Sequence, residues 1–210
     1  RLMDRFARMY APAIGTGATM DYLGQTGRDA LKGADIIKSA PEKYTSIVEY
    51  GDNAIAKYLR DVARVHLADL GTQVFYTSHA PYDTHFNQMP MHNRLWTEVS
   101  AAISDFFDDL HEHDAADNVV MMIFTEFGRR VRDNGTGTDH GAGGGAFIIG
   151  DAVKGGMYGS YPSLKPEDLN QGDLDPSYDF RGFYSSVVDQ WLGVDPVPIV
   201  GGKFEQIQFV

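Results

Sequence analysis

Three short clusters hold the residues best equipped for chemistry: Asp83-Thr84-His85, Thr125-Glu126-Phe127-Gly128-Arg129 and Asp139-His140-Gly141. Carboxylates and imidazoles are the donor groups of a hard-to-borderline metal site. Asp83 and His85 sit in a loop, where both side chains can turn toward one ion. Alone, an Asp-x-His pair is more often ordinary polar loop chemistry, and the nearby His92 also fits a helix cap. Glu126 follows a strongly apolar run, where a carboxylate must be solvated, paired or metal-bound because an isolated buried charge is very costly. An ion pair with Arg129 or Arg130 explains it equally well. Arg129 is also a candidate for binding an anionic substrate through its planar fork. Asp139 and His140 can both reach a metal if the backbone turns sharply, which the neighbouring glycines permit; a hydrogen-bonded surface Asp-His pair is the plainer alternative. Together the clusters point to a metal-dependent hydrolytic enzyme on an α/β scaffold, or to a protein that keeps only that scaffold.

The elements that must position these residues are read from hydrophobic periodicity. Residues 1–10, 26–39 and 52–70 carry helical patterns; in the last, Ile55, Tyr58, Leu59, Val62, Val65, His66 and Leu70 recur at helical spacing. Gly51-Asp52-Asn53 marks its start and Gly71 its stop. Residues 72–77 read as a short strand, 92–112 as a long amphipathic helix, and 118–125 as a nearly continuous apolar strand. Such a run is expected of a strand buried on both faces of a largely parallel sheet, and strand–helix–strand order predicts a right-handed crossover. Residues 126–145 read as a long polar Gly-rich loop, of a length usual for functional or disordered segments, 146–149 as another strand, 155–180 as an irregular arm and 183–192 as a final helix. The three clusters would then gather at the carboxyl ends of the strands, where open α/β sheets bind ligands.

Bulk properties narrow the function classes. The net charge of −11 argues against a nucleic-acid partner, because phosphate backbones are bound by Lys/Arg surfaces. No apolar run is long enough to span a bilayer. The absence of cysteine excludes disulfides, thiolate metal sites and a cysteine nucleophile. The chain opens at Arg1 within a helical pattern and carries no signal peptide, so a processed or truncated piece of a longer polypeptide is expected.

Other signals are discounted. Gly141–Ala146 formally fits a dinucleotide fingerprint but precedes a strand instead of linking strand to helix. His111 and His113 sit at a helix end, where positive imidazole is favoured, and read as structural. Asp173, Asp175 and Asp179 read as an acidic turn more readily than as a calcium site. Asn134-Gly135-Thr136 matches a glycosylation sequon too short to be informative.

In order along the chain, Leu70-Gly71-Thr72-Gln73-Val74-Phe75, Tyr82–Gln88, Thr125–Arg129, Gly137–Gly141, Gly172-Asp173-Leu174, Asp179-Phe180-Arg181 and Trp191–Asp195 form a specific combination. It resembles the carboxyl-terminal half of the bacterial domain-of-unknown-function family 1501, related to the alkaline phosphatase and sulfatase superfamily. The resemblance implies an α/β/α sandwich with a mostly parallel sheet, helical over 1–70 and bearing sheet and site loops over 71–210. It implies a divalent metal (zinc, calcium, magnesium or manganese) held by Asp83, His85, Glu126, Asp139 and His140, with Arg129 binding an anionic phosphoric or sulfuric ester. The superfamily's nucleophile lies in an amino-terminal half outside this sequence, so that half or another chain is an expected partner. Twin-arginine export to the periplasm or beyond is implied in the same way. Residues 79–82, His-Ala-Pro-Tyr, depart from the glycine-rich approach to Asp83 associated with the family. A non-catalytic envelope or surface protein, alone or within a larger assembly, is the competing expectation.

Overall fold

The computed structural model describes residues 5, 8, 9, 15–39 and 44–210. The helix expected over 1–10 lies outside them, except for Arg5, Arg8 and Met9, which are helical. The chain forms two compact units, Arg1–Ser78 with Ala101–His113, and His79–Ser100 with Asp114–Val210.

The first unit is helical. Helix α1 spans Ala18–Ser39 and α2 spans Ala54–Leu67. Asn53 starts α2: its side chain accepts a hydrogen bond from the Ala56 amide at 2.9 Å, satisfying one of the amides a helix leaves unpaired at its start. Ile55, Leu59 and Ala63 recur every fourth residue and are buried, as an amphipathic stripe requires. Helix α3, Gln88–Glu112, gives its second half to this unit, where Ala102, Phe106, Phe107 and Leu110 are buried.

The second unit holds four short strands: β1, Met121–Ile123; β2, Gly128–Asp133; β3, Thr138–Gly141; and β4, Phe147–Ile149. They make two antiparallel ribbons, β1 with β4 and β2 with β3. Met122 faces Ile148 in the first, and Arg129 faces His140 in the second. Helix α4, Phe180–Gln190, begins at an Asp179 cap, and the short α5 spans Val197–Val200.

This overturns the expected mostly parallel α/β/α sandwich. Residues 72–77 join no ladder, and Val74 and Tyr76 are exposed. The crossover expected from 72–77 through the helix to 118–125 does not form, because 72–77 joins no sheet, and β1 pairs instead with β4, antiparallel. The apolar run over 118–125 misled because continuous hydrophobicity reports burial without reporting who the neighbours are. Only three of its residues pair, β1 is half-buried along its length, and Phe124 is exposed. The helical expectations fare better: 52–70, 92–112 and 183–192 fall on α2, α3 and α4.

The carboxyl-terminal tail is held by side chains of α4 instead of a strand. The Ser186 hydroxyl accepts from the Ile207 amide at 2.9 Å, and Gln190 both donates to the Ile207 carbonyl and accepts from the Phe209 amide. Phe209 is fully buried as a result. Gly182 lets the tail approach, since a Cβ there would overlap the Glu205 carbonyl oxygen. Gly33, within α1, has nothing within 4 Å of the same position. Gly182→Ala should therefore destabilise the protein by ~1–3 kcal/mol through overpacking. Gly33→Ala should leave stability unchanged or raise it by up to about 1 kcal/mol. Urea denaturation of the two variants beside the parent checks both signs.

Candidate metal centre

Asp83 and His85 lie on the loop leading into α3, and Asp139 and His140 lie on β3. The loop has no ladder of its own and is fixed by side chains. Thr84 is buried, and its hydroxyl meets the His92 Nε2 of α3 at 2.8 Å, so its neighbours Asp83 and His85 are left on the surface. Gln88 binds both partners: its amide nitrogen donates to the Thr84 carbonyl at 3.3 Å, and its side-chain oxygen accepts from the Thr138 hydroxyl at 3.0 Å. Arg129 of β2 donates to the Thr138 carbonyl and to the Tyr82 carbonyl, each at 2.6 Å.

The hairpin is shaped with equal care. Asn134 Oδ1 accepts from the Gly137 amide at 3.0 Å and closes the turn between β2 and β3. Its amide nitrogen donates to the His85 carbonyl at 3.0 Å and to Asp139 Oδ1 at 3.2 Å. Gly141 keeps β3 close to its neighbours, because a Cβ there would lie 2.7 Å from both the Arg130 amide nitrogen and Asp173 Oδ1.

Asp83 Oδ1 stands 2.7 Å from His140 Nε2 and 3.0 Å from His85 Nε2. The opposite nitrogen of His85, Nδ1, meets Asp139 Oδ1 at 3.1 Å. The two imidazoles are tilted by 32° with centroids 4.9 Å apart, and Phe127 stacks on His140 at 4.0 Å. All four side chains are about half exposed to solvent. The imidazoles hold the Asp83 carboxyl below its ordinary range, chiefly through the His140 hydrogen bond. Asp139 is lowered too, chiefly by its hydrogen bond with His85.

The donor set fits a divalent cation. One ligand atom from each of Asp83, His85 and His140 lies within 4.8 Å of the others. Tetrahedral zinc with bonds of about 2.0–2.1 Å needs donors about 3.3 Å apart. The two Asp83 contacts, 2.7 and 3.0 Å, are shorter than that, so the trio would have to open around an ion. Asp139 meets the far nitrogen of His85, the position from which a carboxylate fixes the tautomer and orientation of a metal-bound imidazole.

Of the five ligands expected from sequence, the structure brings four together and gives them different jobs. Asp83, His85 and His140 can share an ion, and Asp139 backs His85. Glu126 is exposed and forms no hydrogen bond or ion pair with these four. Arg129 is beside the cluster, but two of its nitrogens are engaged by backbone carbonyls and its guanidinium lies 5.1 Å from the Phe127 ring centroid. Four supporting residues went unread in the sequence: Thr84, Gln88, Phe127 and Asn134. Only Asn134 carried a usable signal, since Asn-Gly is a strong turn dipeptide.

A charged donor in a hydrogen bond contributes about 1.5–3 kcal/mol. Arg129→Ala removes two such bonds and should destabilise the second unit by roughly 2–4 kcal/mol after partial compensation by water. Arg129→Lys cannot span both carbonyls with one ammonium and should recover only part of the loss. Chemical denaturation of the two variants, read by tryptophan fluorescence of Trp96 and Trp191, checks the order.

Among the described residues no helix is long and apolar enough to cross a membrane. No curated protein and no solved structure matches the chain. The model of the family described as protein of unknown function (DUF1501) matches residues 26–180, a span that takes in Asp83, His85, Glu126, Arg129, Asp139 and His140 and leaves Trp191–Asp195 outside. With most of its length matched, the chain belongs to the DUF1501 family.

Proposed function

We propose that this protein is a metal-dependent hydrolase of phosphoric or sulfuric esters. The observation that carries the reading is the solvent-facing trio of Asp83, His85 and His140, with donor atoms within 4.8 Å and one imidazole backed by Asp139. Catalytic zinc sites use three protein ligands and leave one position open. A bound divalent ion would polarise a phosphoryl or sulfuryl oxygen and lower the pKa of a coordinated water. Asp83 would supply the negative charge, His85 and His140 the nitrogen donors. Asp139 would keep the His85 ring aimed, and Phe127 would fix the plane of His140. Arg129 would hold the loop to the hairpin, so that an anionic substrate competes with backbone carbonyls for its fork.

Thr84 is not the nucleophile in this reading, because its hydroxyl is buried and bound to His92. Kinship with alkaline phosphatases and sulfatases, export from the cytoplasm and completion of the site by a further polypeptide segment belong to the same proposal. A second reading has its own support. The four groups satisfy one another by hydrogen bonds, as a non-catalytic surface cluster would, and on that view the protein is an envelope or surface scaffold.

Calorimetric titration with zinc and with manganese, followed by hydrolysis of aryl phosphate and aryl sulfate esters, separates them. The hydrolase reading expects one ion per chain and ester cleavage that chelation abolishes. Loss of an orienting partner alone costs about 10–100-fold in metal affinity. Asp139→Asn should fall in that range, and His140→Ala or Asp83→Ala should lose more, with helical content retained. Binding without hydrolysis selects the scaffold, and no binding by the parent protein removes the metal centre altogether.

A further inference from the structure

A second cluster of titratable groups lies in the first unit, where residues 44–51 run beside the last turns of α3. Asp109 is fully buried there. Its Oδ2 accepts from the Tyr44 hydroxyl at 2.6 Å and the Tyr50 hydroxyl at 2.7 Å. Its Oδ1 has no hydrogen-bond partner and stands 3.3 Å from His113 Nδ1. His113 is clamped between two carbonyls, with Nδ1 2.7 Å from the Asp109 carbonyl oxygen and Nε2 2.8 Å from the Thr45 carbonyl oxygen. A carbonyl oxygen only accepts, so both ring nitrogens must donate. A neutral imidazole has one N–H and an imidazolium has two. The geometry therefore calls for a cation, which also balances the buried Asp109 carboxylate.

Asp109, Glu112 and His113 have the spacing of a metal trio. They do not form one, because His113 has no free lone pair and Glu112 is occupied by the Ser46 hydroxyl at 2.8 Å and the Ile47 amide at 3.1 Å.

We infer that His113 is a proton-dependent latch: its imidazolium pins residues 44–51 to the end of α3, and loss of one ring proton releases them. The inference is independent of the metal centre. Deprotonation leaves one nitrogen lone pair facing a carbonyl oxygen and leaves Asp109 without its counter-charge. The groups facing His113 are Asp109 and Glu112 from α3, and Tyr44, whose ring stacks with the imidazole at 6.0 Å. Behind them stand Arg64 of α2, 5.4 Å over the Tyr44 ring, Tyr50 through Asp109, and Asp105, which holds the Gly51 amide at 3.3 Å. The two acids favour the cation.

The pKa directions agree. The His113 value is raised, first by the hydrogen bond to the Asp109 carbonyl, against a smaller opposing effect of burial. Tyr44 is pushed up to about 12, chiefly by burial and then by its bond to Asp109, so it stays a donor throughout. A group raised on folding stabilises fully below its unfolded value, about 6.5 for histidine, and that contribution fades as pH rises through the folded value. The latch is thus closed in acid and opens on the alkaline side.

Two measurements on the full chain test it. Nitrogen-15 NMR of the histidine side chains should show both His113 nitrogens protonated above pH ~6.5, where an ordinary histidine has begun to lose its proton. Hydrogen-exchange protection of the Ile47 and Gly51 amides should fall with the same midpoint, by about tenfold for each unit that His113 is raised. Asp109→Asn should move the midpoint down, and His113→Gln should flatten the dependence while circular dichroism keeps its helical signal. If His113→Gln does not fold, the parent titration and Asp109→Asn still decide. A His113 midpoint at or below the ordinary histidine value of about 6.5, or protection that stays flat through its titration, overturns the latch.

Discussion

The guanidinium of Arg129 is the constraint on which the second unit's chemistry rests. It joins the Tyr82 carbonyl, on the loop that carries Asp83 and His85, to the Thr138 carbonyl, on the strand that carries Asp139 and His140. Neither piece is held by an extended sheet. The loop has no ladder at all, and the hairpin is a two-stranded ribbon of a kind that is marginal in water by itself. A planar cation with several fixed donors is suited to this task, because it satisfies two carbonyls at once and keeps a flat face for Phe127. Phe127 in turn stacks on His140, so Arg129 reaches both halves of the donor set, beside the links made by Gln88 and Asn134.

The chain carries two clusters of acid and imidazole that differ in solvent and therefore in chemistry. Around Asp83 the side chains are half exposed, the oxygens and nitrogens face one another at the surface, and an ion can displace protons without leaving a charge stranded. Around Asp109 the carboxylate is fully buried and surrounded by donors that already have partners. There the cost of leaving a buried charge unpaired ties the carboxylate to its partners, and a proton is what the cluster exchanges. The same residue types give a candidate binding site in one place and a structural lock in the other. His113, read from sequence as a structural histidine at a helix end, meets Asp109 one turn back along α3, while Tyr44 and Thr45 come from a distant segment that α3 alone could not reveal.

What could be read in the sequence follows from the range of the interactions involved. Helices α2, α3 and α4 are set by periodicity within a few turns, and the Asn53 cap by one residue, so they were legible. The sequence reading put Asp83, His85, Asp139 and His140 in one site, and the structure does bring these four side chains together. The sheet was not. Hydrophobicity over 118–125 is the same whether a strand has one neighbour or two, and the deciding information was the hairpin between β2 and β3. Its signal, Asn134-Gly135, stood inside a stretch read as a glycine-rich loop. The Gly128, Gly141 and Gly143 positions that made the stretch look flexible are places where backbone or side-chain atoms come within 2.7 Å of a would-be Cβ, the opposite of looseness.

In the proposed metal centre one ion is shared by Asp83, His85 and His140. X-ray absorption at the zinc edge of the stoichiometrically loaded protein tests it most directly, because imidazole rings add a multiple-scattering pattern that carboxylates lack. A shared ion predicts about two imidazole nitrogens and about one carboxylate oxygen at about 2.0–2.2 Å, with the remaining position taken by water. It also predicts that the imidazole signal halves in His140→Ala. A shell of oxygens alone, or an imidazole signal unchanged by that substitution, would contradict it.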